Sequence, residues 1–397
     1  MAHRRRDFTL IMLLRPALAL GALLASAALP AAGLDADRLL AKSLVDVSQS
    51  RLPDALQAVD QLTRNHPNFR LAQLIKGDLL LARAKPLDTL GNTGGRAADL
   101  EQLRHEARQR VRTLTDSLPD DKVPAYLLNL DEAYRHALVV DASRSRLYVY
   151  ENRSGLPVRV ADFYITVGKA GVGKRKEGDN RTPIGIYMVS GFKSPRELSD
   201  FYGSGAFTLT YPNEWDRRQK RTGHGIWIHG SPSNTYSRAP RASEGCVVLA
   251  NDDLTRLGKY IQNGKTPVII AEEVEWIAYE HLDARRNDLA SAVDAWRRDW
   301  ESRDTDRLLG HYSPAFRTQD QDFRQFSAIK QRVNAGKDWI KIDLDSLSLM
   351  LYPERPDFAM VSFVQEYRSN NFSNRTVKRQ FWSRENGRWK ILHETQL

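Results

Sequence analysis

The sequence predicts a multidomain chain: an α-helical N-terminal part, a mostly-β centre and an α+β C-terminal part. Three observations predict it. Apolar residues recur at helical spacing in the first third, as in Ala55, Leu56, Val59 and Leu62. From Ala137 the period shortens to alternation, with Leu147 and Val149 on one strand face. After residue 288, a helix with Leu289, Val293, Trp296 and Trp300 on one face precedes four strands and a Glu385-Asn386-Gly387 hairpin turn. A length of 397 residues fits two or three domains, and 41% hydrophobic content suffices for ordinary cores.

Residues 1–33 read as a signal peptide. Arg4, Arg5 and Arg6 form a basic start, Phe8 to Leu29 is mostly apolar, and Ala31-Ala32-Gly33 offers small residues for cleavage. The apolar run is also long enough for the alternative of a retained membrane anchor. Both readings give an exported, periplasmic protein. Formal charge is +10, falling to +7 when four arginines and Asp7 leave with the leader. A basic exported chain suits an acidic extracytoplasmic polymer rather than nucleic acid.

The helical domain is expected over 34–133. It opens with a helical hairpin broken at Asn65-His66-Pro67, which resembles a single tetratricopeptide-like unit. A Gly-rich linker (Leu87 to Ala97), a charged helix (Asp99 to Leu118) and a connecting helix (Val123 to His136) follow.

The central domain is expected over 137–272, closing with the strand Pro267 to Ala271. Gly168 to Gly173 with Lys174 has phosphate-loop spacing, but Arg175 stands where a metal-binding Ser or Thr is needed, so no nucleotide is expected. Thr182-Pro183-Ile184-Gly185 reads as a rigid turn entering a strand. Arg217, Arg218, Lys220 and Arg221, with Arg238 and Arg241, are expected to surround a cleft, where guanidinium forks suit carboxylates. Asn251 reads as a helix cap. A charged connector (Glu272 to Arg286) leads to the C-terminal domain over 288–397.

The chemistry centres on Cys246, the one cysteine of the chain, which lies 17 positions after His229. A thiol and an imidazole are the minimum for nucleophilic acyl transfer. A buried, inert cysteine is the plain alternative. Alternation along 224–229 puts Trp227 and His229 on one face and His224 on the other. That argues against a zinc site built from His224, His229 and Cys246, and no metal or other cofactor is expected.

His229-Gly230 followed by Ser243-Glu244-Gly245-Cys246 resembles the L,D-transpeptidase catalytic domain family. The sequence departs from that family's pattern at Glu244, usually His, and at Val248, usually Arg. The resemblance implies Cys246 as nucleophile, His229 as base and the Gly230 carbonyl as the group orienting the imidazole. It also implies oxyanion stabilisation beside Gly245; Ser243 and, from their charge, Arg238 and Arg241 are read toward the substrate. The implied substrate is a peptidoglycan stem peptide, cut at the diaminopimelate–D-Ala bond through a thioester. An amine acceptor makes the enzyme a transpeptidase; water makes it an L,D-carboxypeptidase. A reading of another class is a catalytically silent wall-binding scaffold. Trp300, Asp304, Phe316, Gln365-Glu366-Tyr367 and Trp389-Lys390-Ile391 resemble an NTF2-like domain. It shows no obvious acid–base pair and reads as a binding or docking module, with envelope proteins as partners through it or the helical domain. The domain order is similar to that of helical-cell-shape L,D-carboxypeptidases.

Overall fold

The computed structural model describes residues 36–86, 89–92, 96–116, 118–119 and 121–397. The expected signal peptide and part of the Gly-rich linker lie outside the described residues. No helix among the described residues is long and apolar enough to cross a membrane. The chain forms two units: the N-terminal helices together with Ser231–Pro240, and Leu118–Gly230 together with Arg241–Leu397.

The helical unit contains α1 (Ala36–Ser48), α2 (Leu52–Asn65), α3 (Arg70–Leu81) and α4 (Ala97–Thr115). Pro53 sits in the first turn of α2, where its fixed φ favours the helix and its missing N–H costs nothing. Ala55, Val59 and Leu62 are buried, the face expected from their spacing, while Leu56 is half-buried; Leu39, Leu40, Leu71 and Ile75 are buried with them. Buried Asp78 accepts from the amides of Gly91 and Asn92 at 2.5 and 2.8 Å, which pins the described part of the linker to α3.

The second unit begins with a correction. Val123 to His136 is not a connecting helix: it holds β1 (Lys122–Pro124) and β2 (Leu127–Asn129). Pro124 lacks the N–H a helix interior needs, and the apolar run Ala125 to Leu128 is buried throughout.

The sheet strands of the central part are β3 (His136–Asp141), β4 (Arg146–Arg153), β5 (Leu156–Tyr164), β6 (Val167–Gly168), β7 (Gly185–Lys193) and β8 (Ala206–Leu209). Then come α5 (Glu214–Arg218), β9 (Trp227–His229), β10 (Arg241–Ser243), β11 (Val247–Val248), α6 (Asn251–Gly258), β12 (Pro267–Ala271) and β13 (Trp276–Ala278). Eight of these strands form one sheet in the order β11-β9-β8-β7-β12-β3-β4-β5. The strand expected from His224 starts only at Trp227, because Gly223 and Gly225 take φ of +91° and +71°, outside any strand.

The C-terminal part contains α7 (Tyr279–Glu301), α8 (Thr305–Leu309), β14 (Tyr312–Arg317), α9 (Phe323–Ala335), β15 (Ile340–Tyr352), β16 (Arg355–Ser369), β17 (Phe372–Glu385) and β18 (Arg388–Gln396). Much of the expected charged connector is therefore the first turns of α7, and β14 and α9 were not anticipated. The sheet order is β14-β18-β17-β16-β15-β2. Its last strand, β2, precedes the central domain in sequence and pairs with β15 through Asn129 and Leu349.

The central sheet is buried on both faces, so its inner strands read as continuous apolar runs. Leu138, Val140, Val268 and Ile270 face one core with Ile228, Val247 and Leu254. Val139, Tyr148, Ile186 and Ile269 face a second core, continuous with Trp296, Phe358, Phe363 and Trp382 of the C-terminal part. Helix α5 is the anchor of this junction. Trp215 packs on Phe358 with ring centroids 4.4 Å apart, and Glu214 pairs with Arg379 at 3.0 Å. Arg218 donates to the carbonyls of Ala315 and Leu392.

Trp215→Ala is expected to cost about 3–5 kcal/mol, the usual range for deleting a buried aromatic side chain. In urea, the central and C-terminal parts should lose structure in one transition. Two separate transitions in the wild type would contradict the shared core.

Candidate active site

Strand pairing brings the thiol and imidazole together. β11 runs parallel to β9, with Val247 opposite Ile228 and Val248 opposite His229. Cys246, one residue before β11, is thus level with Trp227. Side chains alternate, so Ile228, Val247 and Leu249 enter the core while Trp227, His229 and Cys246 share the other face.

His229 is buried and its backbone is tied down: Leu249 N donates to its carbonyl at 2.9 Å. Its Nδ1 lies 2.7 Å from the Gly230 carbonyl, the tautomer-fixing contact expected at that position. A carbonyl only accepts, so Nδ1 carries the proton and Nε2 is left as the basic nitrogen. Gly230 itself has no room for a side chain. A Cβ there would run into Asn251 Oδ1, which accepts from Ser204 N at 2.9 Å. Asn251 therefore does not cap α6, whose N-cap is Ala250; it braces the backbone beside the imidazole.

Cys246 is partly exposed and its sulfur sits between two backbone groups. Trp227 N donates to Sγ at 3.4 Å, and Sγ lies 3.4 Å from the Gly225 carbonyl. The first contact favours the thiolate and the second the thiol. Ser243 closes the turn: its Oγ donates to the Cys246 carbonyl at 2.6 Å and accepts from Gly245 N at 3.1 Å. That engages the Gly245 amide, which corrects the expectation that it stands ready for an oxyanion. Gly245 also approaches the neighbouring loop closely. Its φ is +126° and a Cβ would lie 2.8 Å from the Arg181 carbonyl, so glycine is required by the packing of the loop behind it.

That loop, residues 168–182, is held by Asp179. Its carboxylate accepts from Lys174 Nζ at 2.8 Å and from the amides of Arg175, Lys176 and Arg181. Burial raises its pKa, but these donors outweigh burial and bring it down to about 2. The ammonium of Lys174 is thereby used inside the loop.

Sequence reasoning missed the aromatic cover. The Tyr202 ring stands edge-on to His229 at 5.0 Å and against Trp227 at 5.0 Å, and Phe201 lies 5.8 Å from His229. Burial first, then the negative charges of Cys246 and Glu244, push the Tyr202 hydroxyl up. The available signal was an aromatic pair, Phe201-Tyr202, set before Gly203 and Gly205.

Two of the basic residues expected around the cleft are engaged elsewhere. Arg221 pairs with buried Asp216 at 2.9 Å and Arg218 serves the junction with the C-terminal part. Arg241 is exposed on β10, while Arg238 belongs to the helical unit. His224 is exposed on the loop before β9, and Val248 is buried in β11. Among the described residues, no group of three or more His, Cys, Asp or Glu is placed to hold a metal ion.

The C-terminal sheet also holds a charge pair that the sequence did not suggest. Lys378 and Glu394 are buried 2.7 Å apart, and Gln380 donates to the other Glu394 oxygen at 2.7 Å. Neighbouring Lys330 is half-exposed as a residue, yet its ammonium lies 3.9 Å over the Trp300 ring. Desolvation, then Lys378, bring the Lys330 pKa down to about 7 against the pull of Glu394.

Fold and site together define an L,D-transpeptidase-type domain followed by an NTF2-like domain. Residues 135–270 match the L,D-transpeptidase catalytic domain family, and residues 288–395 match the Cds6 C-terminal NTF2-like domain family. Bd1075 of Bdellovibrio bacteriovorus is similar over 70% of this chain and 98% of its own, with 29% identity and a TM-score of 0.62. Pgp2 of Campylobacter jejuni, a helical cell shape determining protein, is similar over 68% of this chain and 95% of its own, with 28% identity and a TM-score of 0.59. No curated protein sequence matches the chain.

Two outcomes are expected. Gly245→Ala should destabilise the fold and slow any reaction of Cys246, read by thermal unfolding and thiol alkylation. Lys330→Met should raise stability. The unfolded state binds more protons than the folded state between pH about 7 and 10.5, so the penalty is full below about 7 and fades as pH rises. The gain in unfolding midpoint should follow that course; a gain independent of pH would contradict it.

Proposed function

We propose that the protein is a thiol acyltransferase acting on peptidoglycan stem peptides, with Cys246 as nucleophile and His229 as base. The observation that carries this is the shared face of Cys246 and His229, with His229 Nδ1 held on the Gly230 carbonyl at 2.7 Å. His229 Nε2 takes the thiol proton and the sulfur leaves the Gly225 carbonyl for the Trp227 amide. The thiolate attacks the carbonyl at the L-centre of diaminopimelate; the C–N bond to D-Ala breaks, and His229 returns the proton to the leaving amine. The oxyanion is stabilised by the Cys246 amide, the Gly245 amide being held by Ser243 Oγ, and such a backbone donor contributes roughly 3 kcal/mol. An amine acceptor then takes the acyl group, making the reaction a transpeptidation.

A second reading, release of the acyl group to water, is favoured by Glu244. This exposed carboxylate two residues before Cys246 is suited to orienting a water. We place the enzyme in the periplasm, in wall remodelling connected with cell shape. We assign the C-terminal domain a docking role, in keeping with its NTF2-like match.

Incubation with disaccharide-tetrapeptide tests the reading. Crosslinked dimers lacking one D-Ala indicate transfer, and tripeptide indicates hydrolysis. Cys246→Ala should abolish both, and wild-type inertness toward this substrate would leave the scaffold reading. His229→Ala should slow iodoacetamide alkylation of Cys246 near neutral pH, with recovery as pH approaches the free-thiol value of about 8.5. An unchanged alkylation profile would show that the pair does not form.

A further inference from the structure

The ten residues Ser231–Pro240 run between the two reacting groups in sequence, yet they pack with the N-terminal helices. They leave immediately after Gly230, whose carbonyl holds His229, and return at Arg241, two residues before Ser243, which closes the cysteine turn. A free loop of this length would leave both ends poorly fixed, since ordering each residue costs about 1–2 kcal/mol. Here the helical unit supplies the ordering.

Three sets of contacts do so. Tyr236, 8% exposed, packs its ring tilted against His66 and Phe69, both at 4.5 Å between ring centroids. The turn between α2 and α3 bonds the segment twice: Tyr236 N donates to the Asn68 carbonyl at 3.2 Å, and Asn68 Nδ2 donates to the Ser233 carbonyl at 3.0 Å. Ser237 Oγ donates to Glu106 Oε1 at 2.6 Å. Glu106 is 1% exposed and lies on α4, where Arg110 pairs with it at 2.9 Å and also reaches Asp37 of α1. Arg110 in turn lies over the Phe69 ring at 5.2 Å. Burying a carboxylate is costly unless it is paired and hydrogen-bonded. Glu106 receives both from residues that tie α1, α4 and the segment together.

We propose that the helical domain is a clamp on the segment joining base and nucleophile, with Tyr236 and Ser237 as positioning residues for His229 and Cys246. The inference rests on the acyltransferase reading for its catalytic consequence, but the clamp itself is tested without turnover. Tyr236 touches neither substrate nor sulfur in this role; it acts through the chain that ends at Gly230 and Arg241.

The test uses the full chain. Tyr236→Ala should lower kcat about tenfold to hundredfold with little change in KM, the scale of a small misplacement of reacting groups. Its alkylation–pH profile should move toward that of His229→Ala. Tyr236→Phe, which keeps the ring, should restore both. Hydrogen exchange should quicken in peptides covering 226–230 and 241–246. Should Tyr236→Ala fail to fold, Ser237→Ala carries the test, with the same direction and a smaller effect. Unchanged kcat, alkylation profile and exchange in folded Tyr236→Ala, or in Ser237→Ala, overturn the clamp. A wild-type alkylation profile indifferent to His229→Ala would instead sink the acyltransferase reading, and exchange alone would then judge the clamp.

Discussion

The parallel pairing of β11 with β9 is the constraint on which the site depends. It is only two residue pairs long, Val247 with Ile228 and Val248 with His229. A slip of one residue would turn Cys246 into the core and Val247 out to solvent. The register is therefore fixed by hydrophobic burial on one face, and Cys246 and His229 occupy the other. Small devices around it serve the same purpose. Asn251 braces Gly230, Ser243 closes the cysteine turn, and Asp179 shapes the loop behind Gly245.

The second organising feature is the double-sided central sheet. One face builds the core under the site and the other merges with the C-terminal domain through Trp215, Ile186 and Ile269. The C-terminal domain is thus a structural support for the central sheet as well as the bearer of its own buried charges. Removing it would expose an apolar face that the central domain has no other means of covering.

Much of this was legible in the sequence, for physical reasons. Helical and strand periods separated the three parts, and Ala137 to Asp141 and Pro267 to Ala271 lie almost where the apolar runs place them. Cys246 stood out as the one cysteine of the sequence and His229 through its resemblance to a family motif, while alternation spoke only to side-chain direction. What was hidden depends on partners distant in sequence. β2 looks helical until β15 is present to pair with it, and Arg218 looks like a cleft residue until the carbonyls of Ala315 and Leu392 take its guanidinium. Lys378 and Glu394 lie 16 residues apart on adjacent antiparallel strands and carry no local signature of pairing. Backbone groups, such as the Trp227 amide on the sulfur, have no side-chain signal at all.

The placement of β2 bears on how such a chain is made. Asn129 leaves the ribosome 220 residues before Leu349, the strand partner it pairs with. Until then the edge of β2 and the apolar face behind it have nothing to cover them. Contacts of such sequence separation form late and slowly. The central domain therefore gains its full stability only once the C-terminal strands have been synthesised. A chain that ends before β15 would leave β2 without its partner strand and the second core open on one side.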